Sequence, residues 1–325
     1  MKRLLFLLLL IPALLGWGQD VTVQGQNVYT YNGKTLVYTA PDIYNANFQV
    51  VYDAFTIPPS ADTAAMWNTM VESIGTYWDS LDVFYFYASN NSTNALLNWK
   101  LPGTYTATLT NNPAFVAFEG FTGAATKYIN CNWIPSTNGV NHVQNSASAG
   151  CYIRTDINQG TADFGSVDAG KTLLYSRNGA IAQFRVNGTG AGSGAVTDSK
   201  GMYIANRVLS THQDLWKNNV RIANHSQVSS GPPSISMYVL GFNNAGTVAA
   251  ECTRQLSMFF AGGGLSETAI NTITNAVETC MDDMGKGVVA MINPLDQLND
   301  LMIVQYLAFE QRIQKYEKRL IDINP

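Results

Sequence analysis

The chain has 325 residues, of which 13% are charged and 46% hydrophobic, and its formal net charge is -4 at pH 7. This is enough chain for one large domain or two small ones with a real core, and no run of Lys or Arg marks the body as a nucleic-acid binder. The polar remainder is rich in Asn, Thr, Ser and Gly, residues of turns and of the solvent-facing positions of strands.

Residues 1–18 combine Lys2 and Arg3 with the apolar run Leu4 to Leu15 and a small-residue site ending at Gly18. They are read either as an export signal cleaved after Gly18 or as a retained hydrophobic segment too short to span a bilayer comfortably. Residues 19–44 form a β arm, because Val28–Tyr31 and Lys34–Tyr38 flank the hairpin pair Asn32-Gly33. A strand is expected from Asn47 to Ile57, stopped by Pro58-Pro59. A helix follows, with Trp67, Met70, Val71, Ile74 and Trp78 on one side and Asp62 as its N-cap.

Between Leu81 and Phe260 short apolar runs alternate with Asn, Gly, Ser and Pro clusters, the pattern of an all-β sandwich or jelly roll. A further helix is expected from Ser266 to just before Gly285, with Ile270, Ile273, Val277, Met281 and Met284 on one face. Residues 45–289 are therefore read as one sandwich domain. Residues 290–325 form a helical oligomerisation segment.

Several stretches resemble the concanavalin-like and laminin-G-like jelly rolls of phage tail and virion-surface proteins. They are Leu215 to Ile222 (a strand, an Asn turn and a strand), Ser236 to Asn244, and Leu256 to Phe260 followed by Gly264-Leu265-Ser266. The resemblance implies an all-β jelly-roll sandwich that binds or displays and does not catalyse: a fibre or decoration protein of a phage virion, located at the virion surface or exported. The alternatives are a secreted bacterial glycan-binding lectin and, less well supported, a sandwich glycoside hydrolase. Gln255-Leu256-Ser257 stand where the secreted laminin-G pattern carries an Asp-Glu pair, a departure that counts against inherited calcium or acidic-sugar chemistry.

Gly165 to Thr172 matches the P-loop pattern GxxxxGK[ST], but the stretch before it is not an apolar strand and Asn178-Gly179 interrupts any helix after it. No nucleotide is expected. The run Gly188 to Gly194 reads as a flexible loop between strands. Glu72, Glu119, Glu251, Glu267 and Glu278 are isolated, without the paired acids of two-carboxylate hydrolysis. His142, His212 and His225 are scattered and read as exposed loop residues. No catalytic residue, metal site or cofactor is assigned.

A glycan site would need an exposed ring beside amide side chains. Trp133, Asn138 and His142 are the candidates, with a core position for Trp133 as the competing reading. Cys131, Cys151, Cys252 and Cys280 are expected to form two disulfides, Cys131–Cys151 and Cys252–Cys280, against the alternative of buried free thiols. In the last segment, Leu295, Met302, Tyr306, Phe309, Ile313, Tyr316, Leu320 and Ile323 repeat at heptad a and d positions, with Asn299 at the remaining a. That stripe predicts a homo-oligomer, a trimer favoured over a dimer, unless the helix folds back on its own sandwich. Other virion proteins and a cell-surface glycan are the remaining expected partners.

Overall fold

The computed structural model describes residues 27–31, 34–38 and 44–289. Strands β1 (Asn27–Tyr31) and β2 (Lys34–Tyr38) pair antiparallel across the expected two-residue turn, Tyr31 opposite Lys34, and belong to a unit of their own. Everything that follows concerns the second unit. The expected 1–18 segment and the heptad positions Leu295 to Ile323 lie outside the described residues.

The body is a jelly-roll-like β-sandwich, as expected. In chain order its strands are β3 (Leu81–Phe86), β4 (Thr108–Thr110), β5 (Ala114–Val116), β6 (Gly120–Thr122), β7 (Tyr128–Asn130), β8 (Ala147–Ile153), β9 (Phe164–Val167), β10 (Lys171–Asn178), β11 (Ile181–Arg185), β12 (Gly192–Ala195), β13 (Gly201–Leu209), β14 (His212–Lys217), β15 (Val220–Ser226), β16 (Tyr238–Val239), β17 (Phe242–Asn244), β18 (Thr247–Ala249) and β19 (Gln255–Gly262). One sheet runs β15-β14-β13-β8-β19-β6-β5, with β3 also on β19. The other runs β12-β11-β10-β9-β16-β7-β4, with β17 and β18 appended. Pairing is antiparallel between all these strands except β17, which lies parallel to β9.

The first sheet is buried on both faces, and the reason is visible in its sequence. Strands Leu81–Phe86, Ala147–Ile153 and Gln255–Gly262 are buried at every residue, the near-continuous apolar reading of a doubly covered strand. One set of alternating residues, including Val83, Tyr85, Cys151, Tyr203, Ala205 and Phe259, faces the second sheet. The other set meets a layer of helices: α1 (Ala46–Asp53), α2 (Ala61–Ile74) and α3 (Glu267–Asp283).

Residues 47–57 were expected to be a strand and are instead mostly helix α1. Asn45 caps it by accepting a bond from the Asn47 amide at 2.9 Å, and Phe48, Val51 and Phe55 recur at helical spacing and are buried. The period-3.6 pattern outweighed the β-favouring composition. Helix α2 is present as expected, but its cap is Ser60, whose side chain accepts from the Thr63 amide, and Asp62 lies inside the first turn. Helix α3 starts from Ser266 as read. Trp99 ties this layer together: its ring lies 5.2–6.0 Å from those of Phe48, Phe55, Trp67, Phe84 and Phe86.

Gly188 to Gly194, expected as a flexible loop, ends in strand β12. A Cβ on Gly192 would stand 2.4 Å from the Phe184 ring, and one on Gly194 would stand 2.6 Å from the Ile222 carbonyl oxygen on β15. The glycines let the two sheets approach backbone to backbone at this edge. They are a packing device.

Two buried arginines close the ends of the sandwich. Arg254 and Asp163 are both fully buried and 2.9 Å apart. The same guanidinium donates to the carbonyls of Ile157, Thr161, Gln159 and Arg177, and the free Asp163 oxygen accepts from the Ser176 amide at 2.6 Å. Removing one partner strands the other charge. Arg254→Met or Asp163→Leu is expected to lower the unfolding free energy by about 3–5 kcal/mol, and the double variant by less than the sum of the two. Urea denaturation of the four proteins measures this.

Candidate functional site

Trp133 and His142 come together and point inward, whereas Asn138 remains at the loop. Asn132 adopts a positive φ of 52°, its side chain held by the Thr106 carbonyl at 2.8 Å, and this turn sends Cys131 and Trp133 both into the core. Trp133 has no exposed surface, so the expectation of a solvent-facing sugar-stacking ring is corrected. Asn138 is half-buried and accepts from the Ile134 amide at 2.8 Å, fastening the turn Pro135–Asn138.

His142, expected on an exposed loop, is buried edge-on to the Trp133 ring at 5.6 Å. His212 and His225 are half-buried on strands β14 and β15, not in loops.

Beneath this loop lies a polar network that the sequence reading missed. The Asp82 carboxylate accepts from the backbone amides of Val140, Asn141 and His142 at 2.8–3.2 Å. Asn187 donates from its amide nitrogen to the Val143 carbonyl, while its Oδ1 accepts from Thr172 Oγ1 at 3.1 Å and meets His142 Nε2 at 3.1 Å. Because Oδ1 only accepts, the network assigns a proton to His142 Nε2. Burial depresses its pKa below the ordinary histidine value, against the opposing pull of Asn187 and Asp82.

The second buried arginine completes the arrangement. Arg207 occupies an inward position on β13 with no exposed surface. It donates to the carbonyls of Val186 at 2.7 Å, Leu209 at 3.1 Å, Ser210 at 3.4 Å and Gln227 at 3.0 Å. Ser229 adds bonds from its amide to Ser210 and from its hydroxyl to Asn145. Loops 139–146, 187–191, 208–211 and 227–234 are thereby gathered at one end of the sandwich.

The outer surface of these loops is their common product. Val140, Val143, Val208, Leu209 and Val228 stand 48–82% exposed there, among exposed Gln144, Asn145, Thr189, Thr211 and Ser230. The four loops contain no charged side chain. Asp168, Lys171 and Arg185 sit at their margin, where Asp168 accepts from the Ser234 amide and Arg185 reaches the Thr189 carbonyl. Beside the 139–146 loop the exposed Asp79, whose carbonyl accepts from Asn141, stands 3.9 Å from Lys100; other ion pairs lie at the opposite end, in Arg154–Glu119, Lys286–Glu119, Arg177–Asp156 and Lys217–Asp198.

The other sequence-level candidates resolve differently. The P-loop-like stretch forms the β9–β10 hairpin, with Val167 opposite Lys171 and Thr172 bonded to Asn187; the chain after Lys171 continues as a strand. All four cysteines are free and buried, which overturns the two expected disulfides. Cys131, Cys151 and Cys252 serve as small apolar residues between the sheets. Cys280 lies on α3, facing α2 across a groove on the outer side of the first sheet, so the expected Cys252–Cys280 bond would have to cross a sheet. Burial raises every one of these thiols, that of Cys252 to about 12. Of the glutamates, Glu119 is held below the ordinary carboxylate range, first by its bond from Lys286 and also by Arg154. Burial raises Glu278, which sits on α3. Among the described residues no group of three or more His, Cys, Asp or Glu side chains is placed to hold a metal.

Neither a protein-family model nor a curated protein sequence matches this chain. Among solved structures, the botulinum neurotoxin serotype D binding domain is similar at 11% identity and TM-score 0.46, over 63% of this chain and 53% of that one. A Trypanosoma rangeli sialidase mutant displaying trans-sialidase activity is similar at 11% identity and TM-score 0.46, over 81% of this chain and 43% of that one. Domain 4 of AbnA, an extracellular arabinanase from Geobacillus stearothermophilus crystallised with arabinotriose, gives 13% identity and TM-score 0.39, over 60% and 98%. This chain thus spans about half the length of the botulinum domain. Likenesses this distant assign no ligand.

His142 generates a pH dependence of known sign. Its folded pKa is depressed, so the unfolded chain, with a value near 6.5, takes up the proton first. Stability from this group is full above that value and is lost as pH falls from about 6.5 toward the folded pKa. The expected result is that wild type loses more unfolding free energy than His142→Gln between pH 7 and pH 5 in parallel urea titrations.

Proposed function

We propose that this chain is a non-enzymatic binding and display protein, and that its uncharged loop end recognises a neutral glycan. One observation supports this: a buried arginine and a buried amide network fix four loops whose outer surface offers aliphatic, amide and hydroxyl groups and no charge. Amides and hydroxyls suit the hydroxyls of a sugar. Val143, Leu209 and Val228 suit its C–H faces. Sites held by rigid supports lose less conformational entropy on binding. The ion pairs at the far end leave that end to mounting or solvation.

The setting we propose is a phage virion surface, on the strength of the jelly-roll resemblance in the hairpin Leu215 to Ile222 and the stretches after it. A secreted lectin is the second setting.

An array of neutral and sialylated glycans tests the binding reading. The wild type is expected to retain neutral glycans, and Leu209→Asp and Val228→Asp to lose at least about tenfold in affinity, equivalent to about 1.4 kcal/mol, with unchanged thermal midpoints. No neutral glycan bound, or equal binding by the variants, overturns it. Mass spectrometry of purified virions tests the setting.

A further inference from the structure

Helices α2 and α3 lie side by side on the sandwich, and between them runs a groove of about 290 Å³. Its floor is apolar, made by Met66, Met70, Ala276 and Cys280, and its rim is polar, with Thr69, Ser73, Asn275 and Asp283. The helices around it are acidic throughout. Asp62 and Glu72 on α2, and Glu267, Asp282 and Asp283 on α3, are exposed, and neither helix carries a Lys or Arg. Of these only Asp283 lines the groove itself, but an apolar floor between two helices that carry carboxylates and no cation favours a basic amphipathic occupant.

The chain itself contains one. After Val289, where the described residues end, 36 residues follow, 290–325. Their distal half carries Arg312, Lys315 and Arg319 at helical spacing, alongside Ile313, Tyr316 and Leu320 one position further on; with Lys318, and against Glu310 and Glu317, the stretch Phe309–Ile321 is net positive. In helical form Phe309–Ile321 would be about 20 Å long, and α2, with 14 residues, is about 21 Å.

The route is short. Val289 donates its amide to Glu278 of α3, the same helix that walls the groove, and residues 290–308 can span about 60 Å if extended. A tethered segment meets its site at an effective concentration of millimolar order.

We infer that the segment Phe309–Ile321 docks in the α2–α3 groove of its own chain, its basic stripe against the acidic walls and Ile313, Tyr316 and Leu320 on the apolar floor.

Zero-length carbodiimide cross-linking of the full chain tests this, using an equal mixture of 15N-labelled and unlabelled protein. Expected are amide links from Lys315 or Lys318 to Glu72, Asp282 or Asp283, within single-isotope chains. The same links should fall in Arg312→Glu/Arg319→Glu, which keeps both lysines, and in 0.5 M salt. Ser73→Cys, at the groove rim, supplies a second readout. A segment docked nine-tenths of the time should slow maleimide labelling there by about tenfold relative to the same protein carrying the two arginine reversals. No links, links only between isotopes, or equal labelling rates overturn the inference. None of these readouts involves the loop end, so the outcome is independent of glycan binding.

Discussion

A guanidinium taken out of water must find every hydrogen bond inside the protein, and Arg254 finds its partners in four backbone carbonyls and one carboxylate. The segment it holds is fixed by polar contacts, among them Arg177–Asp156 and the bonds from Gly179 to Asn158 and from Thr253 to Gln159. Between Arg154 and Thr161 no side chain is buried, so no hydrophobic burial decides where this loop runs. Hydrogen bonds to Arg254 and to Ser199, whose hydroxyl joins the Thr155 carbonyl and the Ile157 amide, decide it instead. Asp163 then passes the constraint to β10 through Ser176 and, by its carbonyl, to Leu240 beside β16. Desolvating the pair costs several kcal/mol per ion, about as much as the attraction returns. Its effect is therefore to define one arrangement of the strands more than to add net stability.

Arg207 performs the corresponding task at the other end with different chemistry. It has no carboxylate partner among its bonds; carbonyl dipoles of Val186, Leu209, Ser210 and Gln227 carry the whole interaction. The consequence reaches the surface. Carbonyl dipoles hold Arg207 with no carboxylate in the gathered loops, which remain uncharged. Asp82 and Asn187 extend the same logic, because the Asp82 carboxylate accepts from three backbone amides of the 139–146 loop and the Asn187 amide nitrogen donates to the Val143 carbonyl. Charge is thus segregated into three regions: ion pairs at one end, none on the loops of the other, and unopposed carboxylates on the helical layer.

The two-sheet architecture was legible because alternating and continuous apolar runs separated by turn residues leave few other folds. The capped helices were legible for the same kind of local reason, with Ser266 three residues ahead of the amide it caps. Helix α1 was misread because Phe48, Val51 and Phe55 are aromatic or β-branched, a composition that favours strands until their spacing is counted. The candidate site was largely illegible. Trp133 and His142 are neighbours, but an aromatic residue in an Asn-rich loop looks the same whether its ring faces sugar or core. The signals that mattered were polar residues out of place in apolar strands: Asp82 in Leu81–Phe86, and Arg207 at the inward position two beyond Ala205. Either could have been flagged as a buried group in need of partners. Neither reveals from sequence that its partners would be the loops of one end.

The cysteines show the same limit from another direction. An even count after an export-like leader argued for disulfides, yet three of the four lie in a core where Phe164, Phe259 and Tyr85 already exclude water. A domain of this size buries enough apolar surface to fold without cross-links, so the small, apolar character of cysteine is sufficient reason for those positions. The fourth, Cys280, belongs to the floor of the acidic groove, where a small side chain leaves room between two helices. The heptad stripe of the last segment has the same ambiguity: its apolar residues require a cover, and periodicity alone does not say whose. The groove alters that balance, because Phe309–Ile321 carries Arg312, Lys315, Lys318 and Arg319 against Glu310 and Glu317, and this net positive segment meets opposite charge on α2 and α3.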